Sequence, residues 1–127
     1  MKTGIGTAVR IGASSLGLLL LSCSRGNPVP QPPPPQTHSV TIEGFRFAPE
    51  DLTVRPGDTI VWTNKDLFAH TATATGEFDS GSIAANGSWR FTPGKPGEVA
   101  YICALHPTMK AMVRIKAGEV ATRSNVQ

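Results

Sequence analysis

From His38 onward the chain is cut into short apolar or alternating runs by turn signals, which leaves room for strands but not for helices. Val40 and Ile42 alternate with Thr41 and Glu43, and Phe45, Phe47, Leu52 and Val54 continue the apolar supply. Arg55-Pro56-Gly57-Asp58 then breaks the run, because proline pre-sets the backbone and glycine tolerates the left-handed region. Thr59–Thr63 reads as a buried strand, since Ile60-Val61-Trp62 is continuously apolar. Thr71–Thr75 is β-branched and alternating, Asn86-Gly87 is a strong turn signal, and Ser88–Thr92 alternates before a second Pro/Gly turn at Pro93–Gly97. Val99–Cys103 and Ala111–Lys116 supply the last strands. Seven or eight short strands separated by regular turns predict an all-β sandwich or barrel, in one domain over residues 38–117.

The N-terminal part is of a different kind. Lys2 and Arg10 precede an apolar run from Ile11 to Leu21, too short to span a bilayer, which needs about 20 apolar residues. It reads as the core of a signal peptide over residues 1–22. Leu20-Leu21-Ser22-Cys23 resembles a bacterial lipobox, which implies that Cys23 becomes a lipidated N-terminus. Residues 23–37 follow as a linker carrying Pro28, Pro30 and Pro32–Pro35. Polyproline II at about 3.1 Å per residue would hold a domain roughly 40 Å from such an anchor. Residues 118–127 read as a C-terminal tail. The expected location is outside the cytoplasm, anchored to a bacterial membrane through lipid.

The charge excludes one class of partner. Twelve basic and nine acidic residues give +3. Without Lys2 and Arg10 of the leading segment, ten basic residues face nine acidic ones, so the balance is +1. No basic run occurs, and nucleic acid is not an expected partner.

The chemistry concentrates in Tyr101-Ile102-Cys103-Ala104-Leu105-His106-Pro107-Thr108-Met109. A thiolate, an imidazole and a thioether recur here at intervals of three. The cysteine ends a strand, and the other two sit in a tight loop that can aim all three at one point. Soft sulfur with imidazole suits copper, and two His and one Cys with a weak axial Met form the blue-copper pattern. The second histidine is His70, which follows the strand and polar turn Trp62–Asp66. Strand alternation turns Met112 outward with Arg114 and Lys116, which favours Met109 as the axial group. His38, at the linker's end, reads as a solvated side chain.

Several stretches together resemble the plastocyanin family of cupredoxins: Phe45-Arg46-Phe47-Ala48-Pro49, Leu52-Thr53-Val54, Pro56–Asp66 and the Cys103–Met109 loop. The compactness of that loop is closest to amicyanin. The resemblance implies a Greek-key β-sandwich, one copper held by His70, Cys103, His106 and Met109, and transfer of single electrons without substrate turnover. It departs from the pattern at Thr71, where asparagine is common, and at Ala104, where a small hydroxyl residue is frequent. Outer groups of this kind orient ligands.

Two other function classes compete. A copper storage or delivery module would want several exposed Met or His, and the chain has only three of each. A catalytic use of Cys103 with His106 or His70 would leave Met109 without a role and offers no Asp, Glu or Asn obviously placed to orient the histidine. The expected role is therefore not enzymatic. Leu105, Pro107 and Phe68 are candidate docking residues around His106. The expected partners are a redox protein as donor and another as acceptor, met by a monomer.

Overall fold

A computed structural model describes residues 26–118, together with Gly6, Gly12 and Gly17. The expected signal segment, Cys23 and the tail beyond 118 lie outside the described residues.

Among the described residues, nine strands form two sheets. They are β1 (Thr37–Ile42), β2 (Phe47–Ala48), β3 (Asp51–Val54), β4 (Thr59–Asn64), β5 (Thr73–Ala74), β6 (Phe78–Asp79), β7 (Ser88–Phe91), β8 (Gly97–Cys103) and β9 (His106–Ile115). One sheet runs β2-β1-β4-β7 and the other β3-β9-β8-β5-β6. Most neighbours are antiparallel, but β1 lies parallel to β4 and β3 parallel to β9. The chain thus passes between sheets, and the all-β sandwich expected from the turn spacing is what forms.

Period-two alternation drives the inner faces together. Along β4, Ile60, Trp62 and Asn64 are buried while Thr59, Val61 and Thr63 are only half-buried. The continuously apolar reading of Ile60–Trp62 is therefore corrected: Val61 belongs to the outward row. On β8, Val99, Tyr101 and Cys103 point inward. Trp62 lies at the centre, with ring centroids 5.3 Å from Trp89, 5.5 Å from Phe78 and 5.7 Å from Tyr101. Its indole N–H donates to the Tyr101 hydroxyl at 3.1 Å, so the one polar atom of the ring is satisfied in the core. Burial pushes the Tyr101 phenol up to about 12, although that bond opposes the shift.

The expected strand Thr71–Thr75 shrinks to Thr73–Ala74, because Thr71 and Ala72 are engaged by the neighbouring loop and by Ser80. The Asn86-Gly87 turn is tight. Asn86 takes a φ of 60°, and a Cβ on Gly87 would stand 2.9 Å from the Ala84 carbonyl oxygen, so only glycine fits there.

His38 is not a solvated side chain. Its Nε2 lies 3.0 Å from an oxygen of buried Asp58, which also accepts from the backbone amides of Gln36 and Arg55 and from the Arg55 guanidinium. The end of the proline-rich stretch is thereby tied to the β3–β4 turn. Burial raises the cost of charge on Asp58. The amides of Gln36 and Arg55, with His38 and the Arg55 side chain, outweigh it and hold the carboxyl well below the usual carboxylate range. A carboxyl depressed in the folded state stabilises above its unfolded value, about 3.9, and that contribution is lost as pH falls below it. Asp58→Asn should cost about 1–3 kcal/mol at neutral pH. It should also flatten the decline in stability below pH ~4. Urea unfolding at neutral and acid pH checks both; equal acid sensitivity in the two proteins would exclude Asp58 as the cause.

Candidate metal centre

At one end of the sandwich the chain brings His70, Cys103 and His106 together. One donor atom from each lies within 4.8 Å of the others. Nδ1 of His70 and Nδ1 of His106 are each 3.7 Å from Cys103 Sγ. His70 and Cys103 are fully buried and His106 is half-buried. Cys103 closes the inward row of β8. A two-residue turn, Ala104-Leu105, leads to His106, which pairs back with Cys103.

The ladder then slips. Ile102 pairs with Lys110 and Cys103 with His106, so Pro107, Thr108 and Met109 bulge out of register. His106 and Met109 thus sit at the start of a strand and in its bulge, rather than in the free loop expected. Met109 is buried in that bulge. Met112 pairs with Ala100, on the outward row of β8, and His38 lies on β1 away from the cluster.

His70 is fixed on every side. Its backbone exchanges two hydrogen bonds with Ile83, at 3.1 and 2.7 Å. Its Nδ1 faces the sulfur, and its Nε2–H donates to Asp66 Oδ2 at 2.8 Å. This corrects the expectation that no acidic residue orients a histidine here. Asp66 also accepts from the amides of Phe45 and Gly44, at 3.0 and 2.7 Å. The Phe45 amide first, with those of Gly44 and the His70 ring, lowers the Asp66 carboxyl against the opposing effect of burial. Asn64, buried at the inner end of β4, donates to the carbonyls of Phe68 and Ile83 and accepts from the Asp66 amide. It pins both sides of the segment that delivers His70. The sequence signal for Asn64 was a polar residue in an otherwise apolar inward row.

Thr71 stands where the resemblance leads one to expect asparagine, and it braces the site in another way. Its amide donates to Cys103 Sγ at 3.3 Å and its hydroxyl accepts from the Ala104 amide at 2.7 Å. Thr73 Oγ1 lies 2.9 Å from the Thr71 hydroxyl and 3.1 Å from Asp79 Oδ1, so a carboxylate backs the brace.

The donor set fits a single copper ion. Each Nδ1 stands 3.7 Å from the sulfur, close enough for one ion to bond to both atoms. A buried cysteine sulfur with two imidazoles is a soft donor set that suits copper, and the N–H on the sulfur and the carboxylate on one imidazole are outer contacts of the kind that hold ligands in place.

Phe68 and Leu105 are exposed by 61% and 55%, and Pro107 is exposed as well. All three face solvent rather than the core. Leu67 and Phe45 join them. The Phe45 ring meets His106 edge-on at 5.0 Å and His70 at 5.3 Å.

No protein-family model matches the chain. A curated relative, the methylamine utilization protein MauL of Methylophilus methylotrophus, is 27% identical over 119 residues, covering 84% of this chain and 67% of that protein. Among solved structures, an amicyanin variant in its copper(I) form superposes with a TM-score of 0.61 at 21% identity, over 63% of this chain and 82% of amicyanin. A copper-containing nitrite reductase from Thermus scotoductus also superposes at 0.61, with 28% identity over 70% of this chain and 24% of the reductase.

Proposed function

We infer that this chain, a cupredoxin by fold, is a type 1 copper protein that carries single electrons between redox proteins. The observation that carries this reading is the buried triangle of His70, Cys103 and His106, with the Thr71 amide on the sulfur. The likeness to amicyanin and to MauL supports it. Met109, buried in the bulge that follows His106, would be a fourth and weaker ligand. Copper bound here supplies one electron reversibly. The protein's part is to hold the donors so that they move little between the two oxidation states: Ile83 and Asp66 hold His70, and Thr71 holds the Cys103–Ala104 turn.

A catalytic reading meets a barrier in the same geometry. Sγ of Cys103 and the His70 ring are fully buried, so no acyl substrate reaches them. Only 24% of the nitrite reductase is matched, and its activity belongs to that larger protein. Storage or delivery is disfavoured because His70 and Cys103 are fully buried and braced by Asp66, Ile83 and Thr71, where exchange wants open donors.

The exposed apolar group Phe68, Leu105 and Pro107 around His106 is the proposed docking face. The imidazole edge offers the short route to a partner, and small weakly polar contacts suit brief encounters burying less than about 1,200 Å². Lipidation at Cys23, export, and use of the proline-rich linker as a spacer complete the reading: an anchored monomer outside the cytoplasm. Leu105→Lys should slow electron exchange with a partner about tenfold or more while leaving the copper spectrum unchanged, since one desolvated anchor is often worth over 1 kcal/mol. Stopped-flow rates with a small redox protein check it; an unchanged rate would place docking elsewhere. For the whole reading, voltammetry of the copper-loaded protein should give one reversible one-electron wave, and no wave would contradict it.

A further inference from the structure

Asp66 is placed so that one carboxylate serves two different jobs. Oδ1 accepts from the Gly44 amide at 2.7 Å; Oδ2 accepts from the Phe45 amide at 3.0 Å and from His70 Nε2 at 2.8 Å. Gly44 and Phe45 both sit in the left-handed region, with φ of 60° and 58°. Glycine takes that conformation freely, but for a bulky residue such as phenylalanine it is an outlier that surrounding contacts must enforce. The turn so formed lays the Phe45 ring edge-on against both metal-facing imidazoles, 5.3 Å from His70 and 5.0 Å from His106, and 5.8 Å from the exposed Phe68. The Asp66 side chain is itself largely enclosed, and its backbone is held by Asn64.

We propose that Asp66 is a positioning residue that couples the metal centre to its cover: the same carboxylate fixes the ring of His70 and holds the strained Gly44-Phe45 turn that roofs His70 and His106. The part that concerns metal rests on the copper reading above; the part that concerns the turn does not. With Nδ1 committed to the metal, Nε2 carries a proton and needs an acceptor, and a carboxylate at that position raises the basicity of the ligand and fixes its orientation. The two amides, at the exposed surface, take the same carboxylate as their acceptor. Three donors therefore meet two oxygens that carry about four lone-pair sites between them.

Asp66→Asn is isosteric and breaks this arrangement. An amide offers one oxygen and presents N–H₂ where the other oxygen stood, so at least one of the three donors faces another donor. Two readouts separate the two jobs. In the metal-free protein, hydrogen exchange at the Gly44 and Phe45 amides should speed up by about tenfold or more in Asp66→Asn, since protection there depends on the lost acceptors. In the copper-loaded protein, competition with a chelator should show affinity reduced about 10–100-fold. The reduction potential should rise, because a negative charge has been removed beside the ion. Phe45→Gly keeps the carboxylate and suits the left-handed turn but removes the roof. It should keep copper affinity within about threefold, because the His70 contact remains. It also provides an answer if Asp66→Asn does not fold. Unchanged amide exchange with unchanged affinity in Asp66→Asn would overturn the proposal. So would a tenfold loss of copper in Phe45→Gly, which would put the grip in the roof and not the carboxylate. A wild-type chain that binds no copper would defeat the function proposed above, yet the amide exchange measurement would still decide whether Asp66 holds the turn.

Discussion

Cys103→Ser should leave a folded protein that gives no intense visible absorption with Cu(II). The serine hydroxyl is smaller and occupies the same inward position at the end of β8, so the fully buried site meets little steric change. What is lost is the soft, anionic donor. A thiolate is the group whose electrons give copper its strong charge-transfer band, and a neutral hydroxyl cannot replace it. The Thr71 amide, which donates to Sγ at 3.3 Å, would face an oxygen in its place and keep a partner. Copper affinity should drop by several orders of magnitude, because one of three primary donors has become a poor one. Absorption spectroscopy with far-UV circular dichroism as the folding control checks it. A variant that stays blue would remove Cys103 from the ligand set.

Trp62→Ala should cost about 3–5 kcal/mol, the range for truncating a large buried aromatic. Against a total stability of about 5–15 kcal/mol for a domain of this size, that leaves little. Trp62 is fully buried between the sheets and touches Trp89, Phe78 and Tyr101. Its removal opens a cavity and strands the Tyr101 hydroxyl, whose bond to the indole is the one the structure gives it. Val61→Ala on the outward row of the same strand should cost about 1 kcal/mol or less. Urea unfolding of both variants tests the register. Equal costs would mean that β4 does not present alternate residues to the core as the structure has it.

The strands and the Cys103–Met109 stretch could be read from sequence because each rests on local information. Alternation fixes which residues face inward, and rare side chains at fixed spacing fix what they can bind. The outer parts could not be read in that way. Asp66 reaches Gly44 and Phe45 across 22 and 21 residues, and Thr71 reaches Ala104 across 33. No local pattern announces such pairs. The parallel partnerships of β1 with β4 and of β3 with β9 are hidden for the same reason, since turn chemistry speaks only for chain neighbours. The loop expected around His106 became a strand with a bulge because pairing with β8 resumes at Lys110 and continues to Ile115. His38 looked solvated because its partner, Asp58, is twenty residues away in a turn whose proline and glycine were the visible signals. The exposure of Leu105 and Phe68 follows the expectation of a docking patch around His106: Leu105 lies in the β8–β9 turn and Phe68 in the β4–β5 connection, and both face solvent.

The function proposed for this chain requires one copper among His70, Cys103 and His106. Titrating the purified, reduced chain with Cu(II) while recording the visible spectrum tests it most directly. An intense blue band that saturates at one ion per chain, and that one electron per chain bleaches, is the predicted result. A pale or colourless complex, or a band that saturates at some other ratio, would contradict it.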